Sequence, residues 1–296
     1  MVRISDKLYC VKITDFSGNP DLSFELLGAL ECHIGSYEDR ETGAMHFTLY
    51  GETPDEQREL ARRVAENLEN WREAGANFAE PECFELRKEE WSEVWKKYFN
   101  ILHLADNLVI RPSWLDYAAC PGEVVVDIDP GMSFGTGQHA TTAYCLRVLA
   151  RYAGQTPYRR LLDAGTGSGI LAIAGAKLGY APIDAFDYDP DAVKVACENA
   201  GQNRLDPDAI RFFVGDATEF SAAEPYDIAA VNILCPILRA HARRIVNWVR
   251  PGGLLALAGI LSGEFDALAQ DFGQAGAVEI DRRTEKEWTS GLFRRS

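Results

Sequence analysis

Five groups of residues in this chain have types and spacings that suit the binding of a small cofactor. Two are glycine-rich segments, Asp163 to Gly169 and Asp129 to Thr142. The other three are single polar residues that follow predicted strands, namely Asp187, Asp216 and Asn232. Ligands of open α/β sheets bind at the carboxyl ends of the strands, so we expect these groups to form one site.

The first glycine segment favours S-adenosylmethionine over a dinucleotide. Gly165, Gly167 and Gly169 allow a sharp turn and a close approach of backbone to ligand. Their Gly-x-Gly-x-Gly spacing departs from the Gly-x-Gly-x-x-Gly of dinucleotide sites. Asp163 at the strand end would repel a pyrophosphate and attract a cation, and S-adenosylmethionine carries a sulfonium, an ammonium and no phosphate. A nicotinamide dehydrogenase is therefore disfavoured.

The acidic residues after the next two strands suit the nucleoside part of such a cofactor. Asp187 lies 22 residues after Gly165, where a carboxylate can accept hydrogen bonds from both ribose hydroxyls. The alternative for Asp187 is a helix cap, although its neighbour Asp189, just before Pro190, is the better N-cap. Asp216 can accept from an adenine amino group, or it can simply stabilise a turn.

Two further segments suit the transfer chemistry and the covering of the cofactor. Asn232 ends the fourth strand, where it would face the transferable methyl group and orient an incoming amine. Its alternative role is to stabilise the turn before Pro236. In the segment that ends at Thr142, Phe134 offers a face to a ligand, and Thr141 or Thr142 can cap the following helix. We expect this segment to form a loop over the cofactor.

The elements that must position these residues alternate between strand and helix from about residue 159. Such alternation predicts a parallel, doubly wound sheet. The predicted strands are Arg160–Asp163, Ile183–Asp187, Ile210–Val214, Ile228–Val231 and Leu254–Ala258, and the predicted helices are Ile170–Leu178 and Pro190–Gly201.

The first 88 residues are typical of a small α+β domain without a catalytic cluster. Its predicted strands are Lys7–Thr14, Ala44–Gly51 and Cys83–Arg87, and its predicted helices are Pro20–Leu30 and Pro54–Glu73. An aromatic amphipathic segment, Lys88–Asn100, predicts a linker helix, and a strand with a turn at Pro112 follows over Leu108–Trp114. We therefore predict two domains, residues 1–88 and 89–296.

Composition narrows the function classes further. The 296 residues include 30 basic and 45 acidic side chains, for a formal net charge of −15, which argues against nucleic acid and favours a basic protein partner. The seven cysteines are scattered without a Cys-x-x-Cys pair, which is typical of reduced thiols in the cytoplasm rather than of a zinc or redox site. The sequence contains neither a signal-peptide core nor a run of about 18 apolar residues, so it predicts no membrane association.

Several of these motifs together resemble the PrmA family, which methylates the eleventh protein of the large ribosomal subunit. The resemblance extends from Glu89 to the C-terminus and rests on the Gly-Thr-Gly-x-His-x-Thr-Thr stretch, the glycine turn, Asp187 and Asn232-Ile233-Leu234. At the position of Asn232-Ile233-Leu234, glutamine N-methyltransferases carry Asn-Pro-Pro-Tyr instead. Two positions depart from the family pattern, Thr166 in place of a frequent cysteine and Ala140 in place of proline or an acidic residue.

The resemblance implies a Rossmann-like class I methyltransferase that uses S-adenosyl-L-methionine to methylate lysine side chains and an α-amine of a basic ribosomal protein. It implies that residues 1–88 recognise that substrate and that Asn232 lies beside the methyl group as the catalytic candidate. The candidate cofactor-binding residues are Phe134, Thr141, Thr142, Asp163, Gly165, Gly167, Asp187, Asp216 and Asn232. Two alternatives stay open: another protein substrate, reached through a diverged N-terminal domain, and an inactive cofactor-binding scaffold, which Asn232 and the Phe134 loop disfavour.

Overall fold

The chain forms two compact units, Met1–Phe99 and Asn100–Ser296. The structure, a computed structural model, describes residues 7–18, 22–23, 26–27, 30, 32–39, 42, 44–87, 100–129, 137, 139–155 and 159–296. The predicted linker helix falls on residues 88–99, outside the described part. Most of the predicted helix Pro20–Leu30 also lies outside it.

The N-terminal unit is an antiparallel sheet with a helix packed on one face. Its elements are β1 (Lys7–Asp15), β2 (His33–Glu38), β3 (Met45–Gly51), α1 (Pro54–Glu73) and β4 (Glu82–Arg87), and the strand order is β2-β3-β1-β4. Helix α1 begins at Thr53, whose hydroxyl accepts a hydrogen bond from the Glu56 amide, and it buries an apolar stripe that includes Val64 and Leu68. That stripe packs against Val11 and Phe47.

The predictions for the N-terminal unit are confirmed for three strands and one helix. The helix has the predicted bounds, and each of these strands begins or ends within one residue of its prediction. Strand β2 was not predicted, because its sequence, His-Ile-Gly-Ser-Tyr-Glu, has too few β-branched or alternating apolar residues to signal a strand.

The second unit opens with a small three-stranded sheet. It contains β5 (Leu102–Ala105), β6 (Leu108–Arg111) and β7 (Val124–Asp127), in which β5 and β6 are antiparallel and β6 and β7 are parallel. The predicted strand that begins at Leu108 is confirmed, and it ends at Arg111, immediately before the predicted turn at Pro112, which has no backbone N–H for a ladder. Strands β5 and β7 are four residues each, and neither was predicted.

The main sheet of the second unit has seven strands. They are β8 (Leu161–Ala164), β9 (Ile183–Asp187), β10 (Arg211–Val214), β11 (Tyr226–Asn232), β12 (Val249–Leu261), β13 (Ala277–Glu285) and β14 (Trp288–Arg295). Their order is β10-β9-β8-β11-β12-β14-β13. The five parallel strands confirm the sequence prediction. The sheet is not wholly parallel, however, because the unpredicted hairpin β13–β14 inserts β14 antiparallel to both neighbours.

Helices cover both faces of this sheet, which confirms the doubly wound α/β fold class. They are α2 (Ala140–Tyr152), α3 (Ile170–Lys177), α4 (Pro190–Gln202), α5 (Cys235–Ala240), α6 (Ala242–Val246) and α7 (Phe265–Gln274). Successive strand residues face opposite layers: Leu161 packs in the core with α2 and α3, and Leu162 packs in the core with α5, α6 and α7. Within the described residues, no helix is both long and apolar enough to cross a membrane.

Candidate functional site

The candidate site lies at the carboxyl ends of β8 and β11, where the strand order of the main sheet reverses. Strand β8 pairs with β11 on one side and with β9 on the other, so the chain winds in opposite directions from this point. A crevice forms at such a switch point in open α/β sheets and is their usual ligand site. Asp163, Asp187 and Asn232 therefore share one edge of the sheet, as predicted from their strand-end positions.

The glycine turn after β8 packs tightly against the end of β11. Gly165 has a positive φ of 77°, and a Cβ atom there would lie 2.5 Å from Cγ2 of Ile233 and 2.9 Å from the carbonyl oxygen of Asn232. The amides of Gly165 and Thr166 both donate to the carbonyl oxygen of Phe186 at 3.0 Å. Glycine at position 165 thus has two advantages: it adopts the positive φ without strain, and it lets the turn after β8 lie close to the end of β11.

Asp163 is a fully buried carboxyl group at the root of this turn. Its Oδ2 atom accepts hydrogen bonds from the Thr166 hydroxyl at 2.7 Å and from the Ala172 amide at 3.1 Å. Its Oδ1 atom is buried and has no hydrogen-bond partner among the described residues. Burial raises the pKa of Asp163 to about 7, and the nearby Asp187 charge adds to the rise. An orphaned buried carboxylate oxygen of this kind suits a cationic ligand.

Asp187 connects the glycine turn to the start of helix α4. Its Oδ2 atom accepts from the Gly167 amide at 2.9 Å, and its Oδ1 atom accepts from the Asp189 amide at 3.1 Å. Asp189 is the N-cap of α4, with its carboxylate accepting from the Asp191 amide at 2.8 Å, which confirms that prediction. The half-buried Asp187 carboxylate keeps further lone pairs, since each oxygen can accept two hydrogen bonds.

Asp216 follows β10 and stabilises a turn. Its Oδ1 atom accepts from the Thr218 amide at 2.7 Å, and this hydrogen bond holds the pKa of the carboxyl below its ordinary value. The preceding residue, Gly215, donates its amide to the carbonyl oxygen of Asp187 at 2.9 Å. The turn role considered for Asp216 is thus present in the structure, and an adenine contact remains a prediction.

Asn232 ends strand β11 and reaches toward the first turn of helix α2. Its Nδ2 atom lies 3.5 Å from the hydroxyl oxygen of Thr142, which is a long hydrogen bond. Such contacts are often long before a ligand binds. The Asn232 side chain is half-buried, and its Oδ1 atom accepts no hydrogen bond from the described residues, so it can accept one from a ligand.

The prediction that Thr141 or Thr142 caps helix α2 is wrong. The helix begins at Ala140, its N-cap is His139, and the first helical hydrogen bond runs from the Ala143 amide to the His139 carbonyl oxygen at 3.0 Å. Both threonines therefore lie inside the first turn, where they are fully buried. The hydroxyl oxygen of Thr141 is 2.7 Å from Nδ1 of His139 instead of capping the backbone.

The C-terminal hairpin adds residues that sequence reasoning did not assign to the site. The Trp288 ring packs edge-on against the His139 ring, with their centroids 5.1 Å apart. Burial lowers the pKa of His139, which favours the neutral imidazole near pH 7. Because β14 pairs with β12, which in turn pairs with β11, this aromatic pair lies along the same edge of the sheet as Asn232.

Four exposed apolar side chains also mark this edge and were missed. Tyr188, Val214, Leu234 and Leu261 have 77%, 56%, 69% and 45% of their surfaces exposed. Each ends a parallel strand of the main sheet or lies one or two residues beyond its end. For Tyr188, Val214 and Leu234 the available signal was their position within two residues of Asp187, Asp216 and Asn232, whereas Leu261 has no such neighbour. Exposed apolar groups at a crevice favour an apolar ligand surface there.

Phe134, the last predicted site residue, lies outside the described residues. The carboxylate of Asp129, the last described residue before it, accepts from the Ser113 amide at 2.7 Å, the Ser113 hydroxyl at 2.7 Å and the Gln202 side chain at 2.9 Å. Among the described residues, no group of three or more histidine, cysteine, aspartate or glutamate side chains is arranged to hold a metal ion.

Comparisons with known proteins place this geometry in a family. The family described as "Ribosomal protein L11 methyltransferase (PrmA)" matches residues 34–296. The ribosomal protein L11 methyltransferase of Geotalea uraniireducens is 41% identical over 232 residues, which cover 75% of this chain and 72% of that protein. The one from Symbiobacterium thermophilum is 36% identical over 231 residues, which cover 78% of this chain and 74% of that protein.

A solved structure supports the same relationship. The crystal structure of a ribosomal protein L11 methylase from Lactobacillus delbrueckii subsp. bulgaricus matches with a TM-score of 0.59 and 25% identity. The match covers 67% of this chain and 100% of that chain.

Proposed function

Because this chain belongs to the ribosomal protein L11 methyltransferase (PrmA) family, we propose that it transfers methyl groups from S-adenosylmethionine to lysine side-chain and α-amino nitrogens of ribosomal protein L11. The observation that carries the proposal is the gathering of Asp163, Asp187 and Asn232 at the switch point of the sheet. An inactive scaffold would need the cofactor-binding carboxylates but would have no use for a half-exposed amide beside them.

The residues of the crevice fit S-adenosylmethionine. The orphaned Oδ1 atom of Asp163 suits a cationic group, and Gly165 and Gly167 have positive φ values and present no side chain to a ligand at the turn. Asp187 supplies the acceptor for the ribose hydroxyls, and Asp216 is the candidate for the adenine amino group. Thr141 and Thr142, with Phe134 from the preceding segment, complete the proposed cofactor-binding set. The bound cofactor supplies an electrophilic methyl group on its sulfonium.

The chain's own contribution to methyl transfer is to deliver a neutral amine in line with that methyl group. A free lysine has a pKa near 10.4, so only roughly one molecule in 2,500 is neutral at pH 7. Desolvation between apolar side chains such as Leu234 and Leu261 lowers that pKa. Asn232 Oδ1 accepts a hydrogen bond from the amine and aligns its lone pair. Alignment in a dry site accounts for most of the proposed acceleration.

Substrate choice is assigned to the N-terminal domain, residues 1–88, and catalysis to residues 89–296. The net charge of −15 suits a basic ribosomal protein and disfavours direct binding of nucleic acid. The activity requires no membrane, and we place it in the cytoplasm, where ribosomal proteins meet the ribosome.

Mass spectrometry of purified L11 after incubation with this protein and S-adenosylmethionine tests the proposal. We expect mass increases in steps of one methyl group, located on lysine side chains or the α-amine, and much slower increases with the Asn232→Ala variant. Methylation of a different protein in a cell extract, with none on L11, would support the alternative substrate. No methylation of any protein despite measurable cofactor binding would support the scaffold.

A further inference from the structure

A second cavity lies away from the switch point, beside the small three-stranded sheet. It has a volume of about 270 Å³ and is formed by β6, β7, the segment between them, and the C-terminal ends of helices α3 and α4. Its lining residues are Arg111, Tyr117, Val125, Asp127, Lys177, Gln202, Asn203 and Arg204. None of these residues belongs to the proposed cofactor set.

The lining is cationic in a protein that is strongly acidic overall. Three cationic side chains, Arg111, Lys177 and Arg204, share the cavity with one carboxylate, Asp127. Arg111 and Asp127 form an ion pair at 2.7 Å, which leaves two positive charges uncompensated within the lining. Asp116 and Asp129 act on the Arg111 charge from beyond the lining. Glu123 and Asp129 accept hydrogen bonds from Tyr117 and Gln202 of the lining, so the excess of positive charge is confined to the lining itself, where it indicates a site for an anion.

The surroundings of Lys177 are unfavourable for a charged ammonium group that has no anion beside it. It is half-buried, and its Nζ atom donates one hydrogen bond, to the carbonyl oxygen of Val125 at 2.6 Å. Burial lowers the pKa of Lys177, and the charges of Arg111 and Arg204 lower it further against the opposing effect of Asp127. The ammonium carries three donors, so two of its N–H groups have no acceptor among the described residues.

Arg204 occupies a backbone position that normally belongs to glycine. Its φ is +57°, and it follows the C-cap of α4 in a Schellman turn. In this turn the Arg204 amide donates to the Gly201 carbonyl at 2.9 Å, and the Leu205 amide donates to the Ala200 carbonyl at 3.2 Å. Helix α3 ends in the same kind of turn, and there the residue is Gly179, with a φ of +91°. The left-handed conformation of Arg204 is a strained one, which a glycine at this position would avoid.

Capping of the C-terminal ends of helices α3 and α4 does not explain the presence of Lys177 and Arg204. Backbone amides at the end of each helix already satisfy three of its last four carbonyl groups. Lys177 donates to a strand carbonyl rather than to its own helix. In the part of the chain that the structure describes, the guanidinium of Arg204 has no hydrogen-bond or ion-pair partner, although it lines the cavity.

We propose that this cavity binds a small phosphate-type oxyanion between Lys177, Arg204 and the Arg111–Asp127 pair. A phosphate group offers several oxygen acceptors for the two guanidinium forks and the ammonium, and its double charge matches the two uncompensated cations. A free phosphate or a phosphate monoester is favoured over RNA, because the surrounding protein is acidic and a polyanion needs an extended basic surface.

Calorimetric titration of the full-length protein with inorganic phosphate tests the proposal, with sodium chloride at matched ionic strength as the reference. We expect saturable 1:1 binding by the parent and at least about tenfold weaker binding by Arg204→Gly, since one charge-assisted contact is lost. The same substitution relieves the left-handed backbone strain, so the ligand-free variant should melt at a higher temperature than the parent. Loss of binding together with a gain of stability excludes misfolding as the cause.

Lys286→Gly is the matched control, because Lys286 is also a cationic residue with a positive φ, +54°, but lies in the remote β13–β14 turn. It should show the stability gain with unchanged phosphate binding. Lys177→Met should also bind phosphate at least about tenfold more weakly. Absence of phosphate binding by the parent, or equal binding by parent and Arg204→Gly, would overturn the proposal. Tighter binding of a ten-nucleotide RNA than of phosphate, lost in Arg204→Gly, would overturn the assignment to a small anion.

Discussion

The side-chain amide of Asn232 donates to the hydroxyl oxygen of Thr142 across 3.5 Å, and the two residues are 90 positions apart in the chain. Asn232 ends strand β11, whereas Thr142 lies in the first turn of helix α2. The contact directs the Nδ2 atom toward the helix, and among the described residues no group donates a hydrogen bond to Oδ1. An acceptor is what a reacting amine requires, because its N–H must point to the protein while its lone pair points to the methyl group.

We predict that Asn232→Ala lowers turnover far more than it weakens cofactor binding. The hydrogen bond to the amine strengthens at the transition state, so its loss affects the rate more than the ground state. We expect roughly a 10²-fold lower kcat and S-adenosylmethionine affinity within a few-fold of the parent. Asn247→Ala, at an exposed helix C-cap, is the control and should leave both unchanged. Near-normal turnover with greatly weakened cofactor binding would make Asn232 a cofactor ligand only.

Asp187→Ala should weaken cofactor binding through the ribose. Loss of a charged acceptor for two hydroxyls costs on the order of 2–3 kcal/mol of binding free energy. Calorimetry of S-adenosylmethionine binding measures this loss directly. Asp189→Ala provides the comparison, since this neighbour caps α4 and should lower the melting temperature while leaving the affinity nearly unchanged. Equal affinities for the Asp187→Ala variant and the parent would remove the ribose assignment.

Asp163 should make the ligand-free protein less stable as the pH rises. Burial raises the pKa of Asp163 from its ordinary value near 4 to about 7, so the folded state binds this proton more tightly than the unfolded state. The free energy of unfolding therefore falls between about pH 4 and pH 7, and the full penalty is present above pH 7. We expect the penalty to be on the order of 2–4 kcal/mol.

The Asp163→Asn variant isolates that effect, because an amide does not titrate and its oxygen still accepts from Thr166 and Ala172. Urea unfolding of both proteins at pH 5, 6, 7 and 8 should show the parent losing stability relative to the variant as the pH rises. Parallel pH profiles for the two proteins would mean that Asp163 does not titrate in this range.

The edge-of-sheet positions of the site could be predicted from the sequence, but its internal contacts could not. Asp163, Asp187 and Asn232 each follow an apolar run, and parallel strands bring such positions together without knowledge of the packing. The burial of Asp163 and its orphaned oxygen depend on how α3 packs over the turn. The partner of Asn232 depends on α2 beginning at Ala140, which composition does not reveal because His139 makes no side-chain cap.

The C-terminal hairpin shows a second limit of sequence reasoning. Strand periodicity predicts that a segment is extended, but it does not give its place in the sheet, because pairing is decided by contacts distant in sequence. Strand β13 is also largely exposed and charged, from Glu279 to Glu285, so its pattern resembles a surface segment more than a strand. As a result, neither β14 as the neighbour of β12 nor Trp288 as the neighbour of His139 was predicted.

The N-terminal domain should select the substrate and contribute little to cofactor binding. All proposed cofactor ligands lie after residue 129, and residues 1–88 are assigned only a recognition role. A fragment from Glu89 onward should therefore bind S-adenosylmethionine within a few-fold of the full-length protein, as measured by calorimetry. It should also lose methylation of intact L11, measured by mass spectrometry, because the amine is no longer held at the crevice. Circular dichroism and a cooperative thermal transition establish that the fragment is folded. A folded fragment that methylates L11 at the full-length rate would show that the N-terminal domain has a different role.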